Sequence, residues 1–265
     1  MNSSTLDLPP IKVFILCEQN LDSFRQQVFT TLIEAPDIEL VGVGVNFRKR
    51  KSGLQKIRRE LKKGRGGYVI VQVVRKVASK LRKNKSLGAS ELLAEDFFDG
   101  VGVPLYRIQK LFSPETTNLI EESGADCVYL NGFGIIREPL LSLCRFGVIS
   151  YHHGDLRYYR GGPPAFWELY HGAKEIGVTL QILSPQLDAG KVVLMRHFSI
   201  TKGKGWGYHK HLIYKGSVSM VVEGLRGLAQ GTLSPQLPSE LGKVYTLPKL
   251  RQWLILHFKV LIGRA

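Results

Sequence analysis

The sequence predicts an α/β protein: a Rossmann-like, doubly wound, mostly parallel sheet with a short C-terminal extension. Three observations lead there. Short runs rich in branched apolar residues alternate with stretches of helical periodicity, the pattern that produces βαβ units. The first such unit, strand–helix–strand, occupies residues 11–45. From Tyr151 the texture changes to a segment dense in His, Gly, Arg and Pro placed directly after an apolar run, where open α/β sheets bind their ligands.

The elements follow in order. Ile11–Cys17 (IKVFILC) reads as a buried strand, and Leu21–Ile33 as a helix with Phe24, Val28 and Leu32 on one face. Ile38–Val45 (IELVGVGV) is the second buried strand, joined by a crossover that makes the pair parallel. Further on, the branching of Ile70, Val73, Val74 and Val77 favours a strand, but their spacing with Leu81 predicts a helix. A short strand near Pro104–Ile108, a helix near Pro114–Ser123, and strands at Ala125–Leu130 and Phe146–Ser150 continue the alternation. A helix at Ala165–Tyr170 precedes two strands, Ile176–Leu183 and Val192–Ile200, around a turn at Ser184–Gly190. Tyr208–Ala229 reads as one helix, Ser234–Thr246 as loop, and Leu247–Ile262 as a basic amphipathic helix. That last helix is expected to pack on the domain or across a homodimer rather than lie on a membrane.

The formal net charge of +15 favours acidic partners: nucleic acid, anionic lipid or a phosphorylated substrate. The excess is concentrated, with ten Lys or Arg between Arg48 and Arg65 against the single acid Glu60, and a second basic stretch over Arg75–Lys85. The block at 48–65 has three readings: a solvated helix face, a contact for RNA or a membrane surface, or a clamp for a phosphorylated acceptor. Only Phe47 and Tyr68 flank it, which does not support stacking on single strands. Cys17, Cys127 and Cys144 fit neither a disulfide framework nor a zinc motif. Buried reduced thiols, no metal, and a cytoplasmic location are expected. Met1–Pro10 lacks the features of a signal peptide, and no apolar run is long enough to span a bilayer.

Two segments carry chemistry. His152 and His153 sit at the end of a predicted strand, and histidine moves protons near neutral pH. Asp188 lies in the turn Leu187-Asp188-Ala189-Gly190. Each is weak evidence alone, since loop histidines and turn aspartates are common. Their order, the 36-residue interval, and the intervening Tyr159-Arg160-Gly161 and Gly177-Val178-Thr179 together resemble the core of the folate-dependent formyltransferases. That family includes the methionyl-tRNA, glycinamide ribonucleotide and sugar N-formyltransferases. The resemblance covers about residues 11–230 and is strongest over 126–200.

The resemblance implies transfer of a formyl group from 10-formyltetrahydrofolate to a small-molecule amine, with His152 stabilising an oxyanion and relaying protons and Asp188 polarising it. Ser150 stands at the family's asparagine position and offers one hydroxyl in place of an amide donor. A shorter donor at Ser150, help from His153, or a repurposed site all remain open. The pterin is expected against Phe133, Gly134, Ile135 and Ile136 on one loop and Gln186 and Leu187 on another. The stretch Glu18–Ser23 has no glycine and two acids, arguing against a glycinamide ribonucleotide phosphate. Only 65 residues follow Ile200, too few for the C-terminal barrel of methionyl-tRNA formyltransferases. An amino-sugar nucleotide or another small amine, phosphorylated or not, is the expected acceptor. The implied organisation is a tail at 1–10, a formyltransferase-like catalytic domain at 11–200 with a basic insertion at 48–85, and a helical extension at 201–265. The competing expectation is a catalytically degenerate protein of this fold that binds nucleic acid or anionic membrane through the basic block.

Overall fold

The computed structural model describes residues 9–48, 58, 62 and 91–263. Along them run β1 (Ile11–Glu18), β2 (Asn20–Leu21), α1 (Ser23–Ile33), β3 (Ile38–Asn46), β4 (Leu92–Leu93), α2 (Ala94–Phe98), β5 (Leu105–Ile108), α3 (Pro114–Glu122) and β6 (Cys127–Asn131). Then come β7 (Val148–His152), β8 (Tyr159–Gly161), α4 (Phe166–His171), β9 (Glu175–Ile182), β10 (Lys191–Ser199), α5 (Trp206–Ser217), α6 (Met220–Ala229), β11 (Lys243–Tyr245) and α7 (Leu250–Leu261).

Continuous apolar runs become strands covered on both faces. In β1, Val13, Ile15 and Cys17 enter one cluster with α1 and α6, whereas Phe14 and Leu16 enter a second cluster under α3. Burial pushes the Cys17 thiol up to about 12 and the Cys144 thiol up to about 11, and all three cysteines are free. Seven strands form one sheet in the order β10-β9-β7-β6-β1-β3-β5. The five from β5 to β7 are parallel; β9 runs antiparallel to β7 and β10 antiparallel to β9. The expected mostly parallel, doubly wound sheet is what forms. The chain leaves β1 toward β3 and β5, then returns to place β6 on β1's other side. The carboxyl ends of β1, β6 and β7 therefore border the crevice where the winding reverses.

Three local expectations change. The final strand of the parallel set extends to His152, because Tyr151 and His152 pair with Leu180 and Thr179 of β9. Tyr208–Ala229 is two helices rather than one. The Tyr151 hydroxyl enters the break, donating to the Ser217 carbonyl at 2.6 Å and accepting the Val221 N–H at 2.9 Å. The loop-like Ser234–Thr246 contains β11, which pairs in parallel with β8. Both strands have three residues and no periodicity to read, and tertiary pairing alone defines them. The expected helix over 70–81 lies outside the described residues.

Helices α5 and α6 pack Ile213, Met220, Val221 and Leu225 into the same cluster as β1 and β9. Helix α7 buries Trp253 and Leu256 against Phe166, Trp167 and Leu169. No helix among the described residues is long and apolar enough to cross a membrane. Tyr151→Phe removes the hydroxyl that serves both ends of the α5–α6 break. It is expected to cost about 1–3 kcal/mol, read as a lower urea midpoint at unchanged slope.

Candidate active site

The pleat of β7 divides the candidate residues. Side chains alternate across a strand, so Ser150 and His152 project to one face and Tyr151 and His153 to the other. His152 is 6% exposed. Its Nε2 donates to the Tyr159 carbonyl at 2.7 Å, and its Nδ1 lies 3.6 Å from Asp188 Oδ1. With Nε2–H committed to a carbonyl, Nδ1 is the ring position that can take up and release a proton. Gly154 permits this contact: a Cβ there would lie 2.5 Å from the Tyr159 oxygen and 2.7 Å from His152 Nε2.

Asp188 is held from the same short strand. The Gly161 N–H donates to Asp188 Oδ2 at 2.8 Å. Arg160, 7% exposed, donates from Nε to the Asp188 carbonyl at 2.8 Å and from its other nitrogens to the carbonyls of Leu187 and Gly242. These bonds hold Asp188 in the left-handed region at φ 44°, a conformation that costs energy outside glycine. The motif Tyr159-Arg160-Gly161 thus supplies a carbonyl for the histidine, a cation for the turn and an N–H for the carboxylate.

Asp188, rather than His152, reaches a cavity of about 300 Å³. Of the residues expected against the pterin, Gly134, Ile135, Ile136, Gln186 and Leu187 line it, with Ser150 and Gln181 at its polar end. Phe133 is buried in the cluster beneath instead. Its N–H donates to Glu18 Oε1 at 3.3 Å, its carbonyl accepts from Arg48 at 3.4 Å, and the Arg48 guanidinium lies over its ring. It anchors the loop whose next three residues face the cavity. Main chain at Gly134, apolar walls and a carboxylate at one end fit a flat heteroaromatic ring approached edge-on.

Ser150 borders the cavity, with its hydroxyl donating to the Leu130 carbonyl at 3.0 Å. His153 faces the opposite side, stacked on Tyr151 and packed against Phe24 and Tyr214. Burial pushes it down to about 3, and its buried Nε2 has no partner among the described residues. It is a neutral imidazole at physiological pH. It lines a separate cavity of about 220 Å³ with Asp22, Arg25 and Asn131. Among the described residues no group of three or more His, Cys, Asp or Glu is placed to hold a metal ion. Apart from Arg48, Arg58 and Lys62, the basic block at 48–65 lies outside the described residues. In the sequence, Tyr159, Arg160 and Gly161 stand out only as part of a motif, and Gln181 belongs to none. Gln181 and Thr179 are polar residues within the buried run 176–181 of β9, a signal carried by the sequence itself.

Residues 45–207 match the formyl transferase family. The chain belongs to that family. It is 33% identical over 135 residues to the methionyl-tRNA formyltransferase of Geobacter metallireducens, covering 50% of this chain and 43% of that protein. The chain spans about half the length of the curated relatives it matches. Solved formyl transferases share the fold at low identity. A phosphoribosylglycinamide formyltransferase from Anaplasma phagocytophilum superposes with a TM-score of 0.58 at 14% identity, covering 89% of this chain and 100% of its own. An N-formyltransferase from Helicobacter canadensis, in complex with folinic acid and dTDP-3-aminofucose, gives 0.56 at 10% identity, covering 95% and 81%.

Two outcomes follow from the geometry. Arg160→Met leaves the carbonyls of Leu187 and Asp188 in a partly buried turn without their donor and is expected to cost about 1–3 kcal/mol, measured by urea unfolding. His153 is depressed on folding, so it stabilises above about pH 6.5 and that contribution is lost as pH falls toward 3. His153→Phe is therefore expected to resist acid better. Its stability relative to the unaltered chain should rise by about 1–2 kcal/mol between pH 7 and pH 5, read from thermal midpoints at both values.

Proposed function

We propose that the chain transfers a formyl group from 10-formyltetrahydrofolate to a primary amine on a small acceptor, with amino-sugar nucleotides the first class to test. The observation that carries this reading is the His152–Asp188 pair, clamped by β8, with its carboxylate open to a cavity walled by Gly134–Ile136 and Gln186–Leu187.

The bound donor supplies a formyl carbon carried on a nitrogen that leaves as an amine. The acceptor nitrogen forms a bond to that carbon, the carbonyl oxygen becomes an oxyanion, and the bond to the donor nitrogen breaks. One proton leaves the acceptor amine and one reaches the departing nitrogen, so the products are a formamide and tetrahydrofolate. Asp188 faces the reactants and takes the proton, and His152 Nδ1 behind it shares it before it passes to the leaving nitrogen. The Tyr159 carbonyl keeps Nε2 protonated throughout, fixing which nitrogen takes part.

The start of α1 supports an acceptor without a phosphate at that point. Asp22 caps the helix, accepting the Arg25 N–H at 3.0 Å, and also binds the Arg25 guanidinium at 2.8 Å. A carboxylate of the chain thus occupies the anion position of the helix N-terminus. The sugar-nucleotide ligand of the Helicobacter protein makes amino-sugar nucleotides the natural first panel.

Purified protein incubated with 10-formyltetrahydrofolate and amino-sugar nucleotides is expected to release tetrahydrofolate. The rate should fall by about 10²–10⁴-fold in His152→Ala and Asp188→Asn. No release with any amine acceptor, or equal rates in both variants, would contradict the proposal.

A further inference from the structure

The proposed reaction needs a hydrogen-bond donor for the formyl oxygen as it gains charge, and Ser150 does not provide one. Serine has a single O–H, and that of Ser150 points at the Leu130 carbonyl. Directly across the ladder, β9 pairs Gln181 with Ser150, and residues opposed in an antiparallel pair project to the same face. Gln181 is 1% exposed, and both side chains border the one cavity. Its Oε1 accepts the Gly190 N–H at 3.1 Å. That bond fixes which end of the amide is which, leaving Nε2 as the remaining donor.

Gln181 Nε2 makes no hydrogen bond to any described residue. The side chain is almost wholly buried, yet Nε2 is not one of the sealed, unsatisfied polar atoms; an unbonded donor bordering the cavity is suited to a ligand acceptor. Gly190 makes the arrangement possible. A Cβ there would stand 2.8 Å from Gln181 Oε1 and 2.1 Å from the Ile182 carbonyl oxygen. The glycine that closes Leu187-Asp188-Ala189-Gly190 therefore orients Gln181 while the aspartate of the same turn faces the reactants.

The geometry points to Gln181 as the amide donor of this site: its Nε2 hydrogen-bonds the formyl oxygen and the oxyanion that develops there. The donor comes from β9 instead of β7, reaching the same cavity from the neighbouring strand. This inference rests on the formyl-transfer reading above.

A 10-formyl folate analogue carrying ¹³C in the formyl group reports the donor directly through its carbonyl stretch, read by infrared difference spectroscopy without any acceptor. The unaltered chain is expected to lower that frequency on binding, and Gln181→Met to abolish the shift. Gln181→Glu, which keeps an acceptor for Gly190, should abolish it too, separating lost donation from lost folding. Turnover should fall by about a hundredfold with little change in the donor KM, and Ser150→Asn placed in the Gln181→Met chain should regain part of the loss. An analogue that binds with no shift, or a shift unchanged in Gln181→Met and Gln181→Glu, overturns the inference alone. No binding of the analogue to the unaltered chain overturns the formyl-transfer reading with it.

Discussion

Both halves of the site depend on three residues of backbone. Tyr159 offers its carbonyl to His152, Gly161 offers its N–H to Asp188, and the Arg160 guanidinium gathers the carbonyls of the turn that carries Asp188. The strand these residues form, β8, lies outside the main sheet and, among the described residues, pairs only with β11. The histidine arrives at the end of β7 and the aspartate in the turn between β9 and β10, 36 residues apart in the chain. The shared strut sets their separation, and hydrogen bonds from and to charged side chains are stiff enough to hold it. Beyond β8, the parallel sheet delivers its strand ends to one crevice, and the loops that wall the cavity hang from it.

The alternation of β7 then sorts chemistry from packing. Ser150 and His152 face the loops that follow β6 and β9, whereas Tyr151 and His153 face α1, α5 and α6. Adjacent histidines thus have unrelated environments. One sits beside a carboxylate and the other among aromatic rings, where burial keeps it neutral. The same alternation on β9 gives Gln181 to the cavity and Leu180 to the core.

Much of the fold was legible because parallel strands covered on both faces read as unbroken apolar runs, as in Ile11–Cys17 and Ile38–Val45. His152 and Asp188 could be named because two motifs in order, at a fixed interval, are far more specific than either alone. Other features left no local mark. Three-residue strands have too little length for a period, so β8 and β11 were invisible. The break between α5 and α6 depends on a tyrosine hydroxyl some 66 residues away in sequence. Adjacent histidines carry no mark in the sequence of the pleat that sends them to opposite faces. Phe133, named beside the residues that do line the cavity, is turned under the loop by Glu18 and Arg48.

The central claim is that β8 holds His152 and Asp188 at the edge of a folate cavity between two loops. A crystal structure of the chain with folinic acid tests it most directly. The account predicts the pterin between Gly134–Ile136 and Gln186–Leu187, its formyl-bearing end toward Asp188, and the Tyr159–His152 and Gly161–Asp188 bonds intact. Folinic acid seated elsewhere, or a bound state in which His152 and Asp188 leave β8, would contradict it.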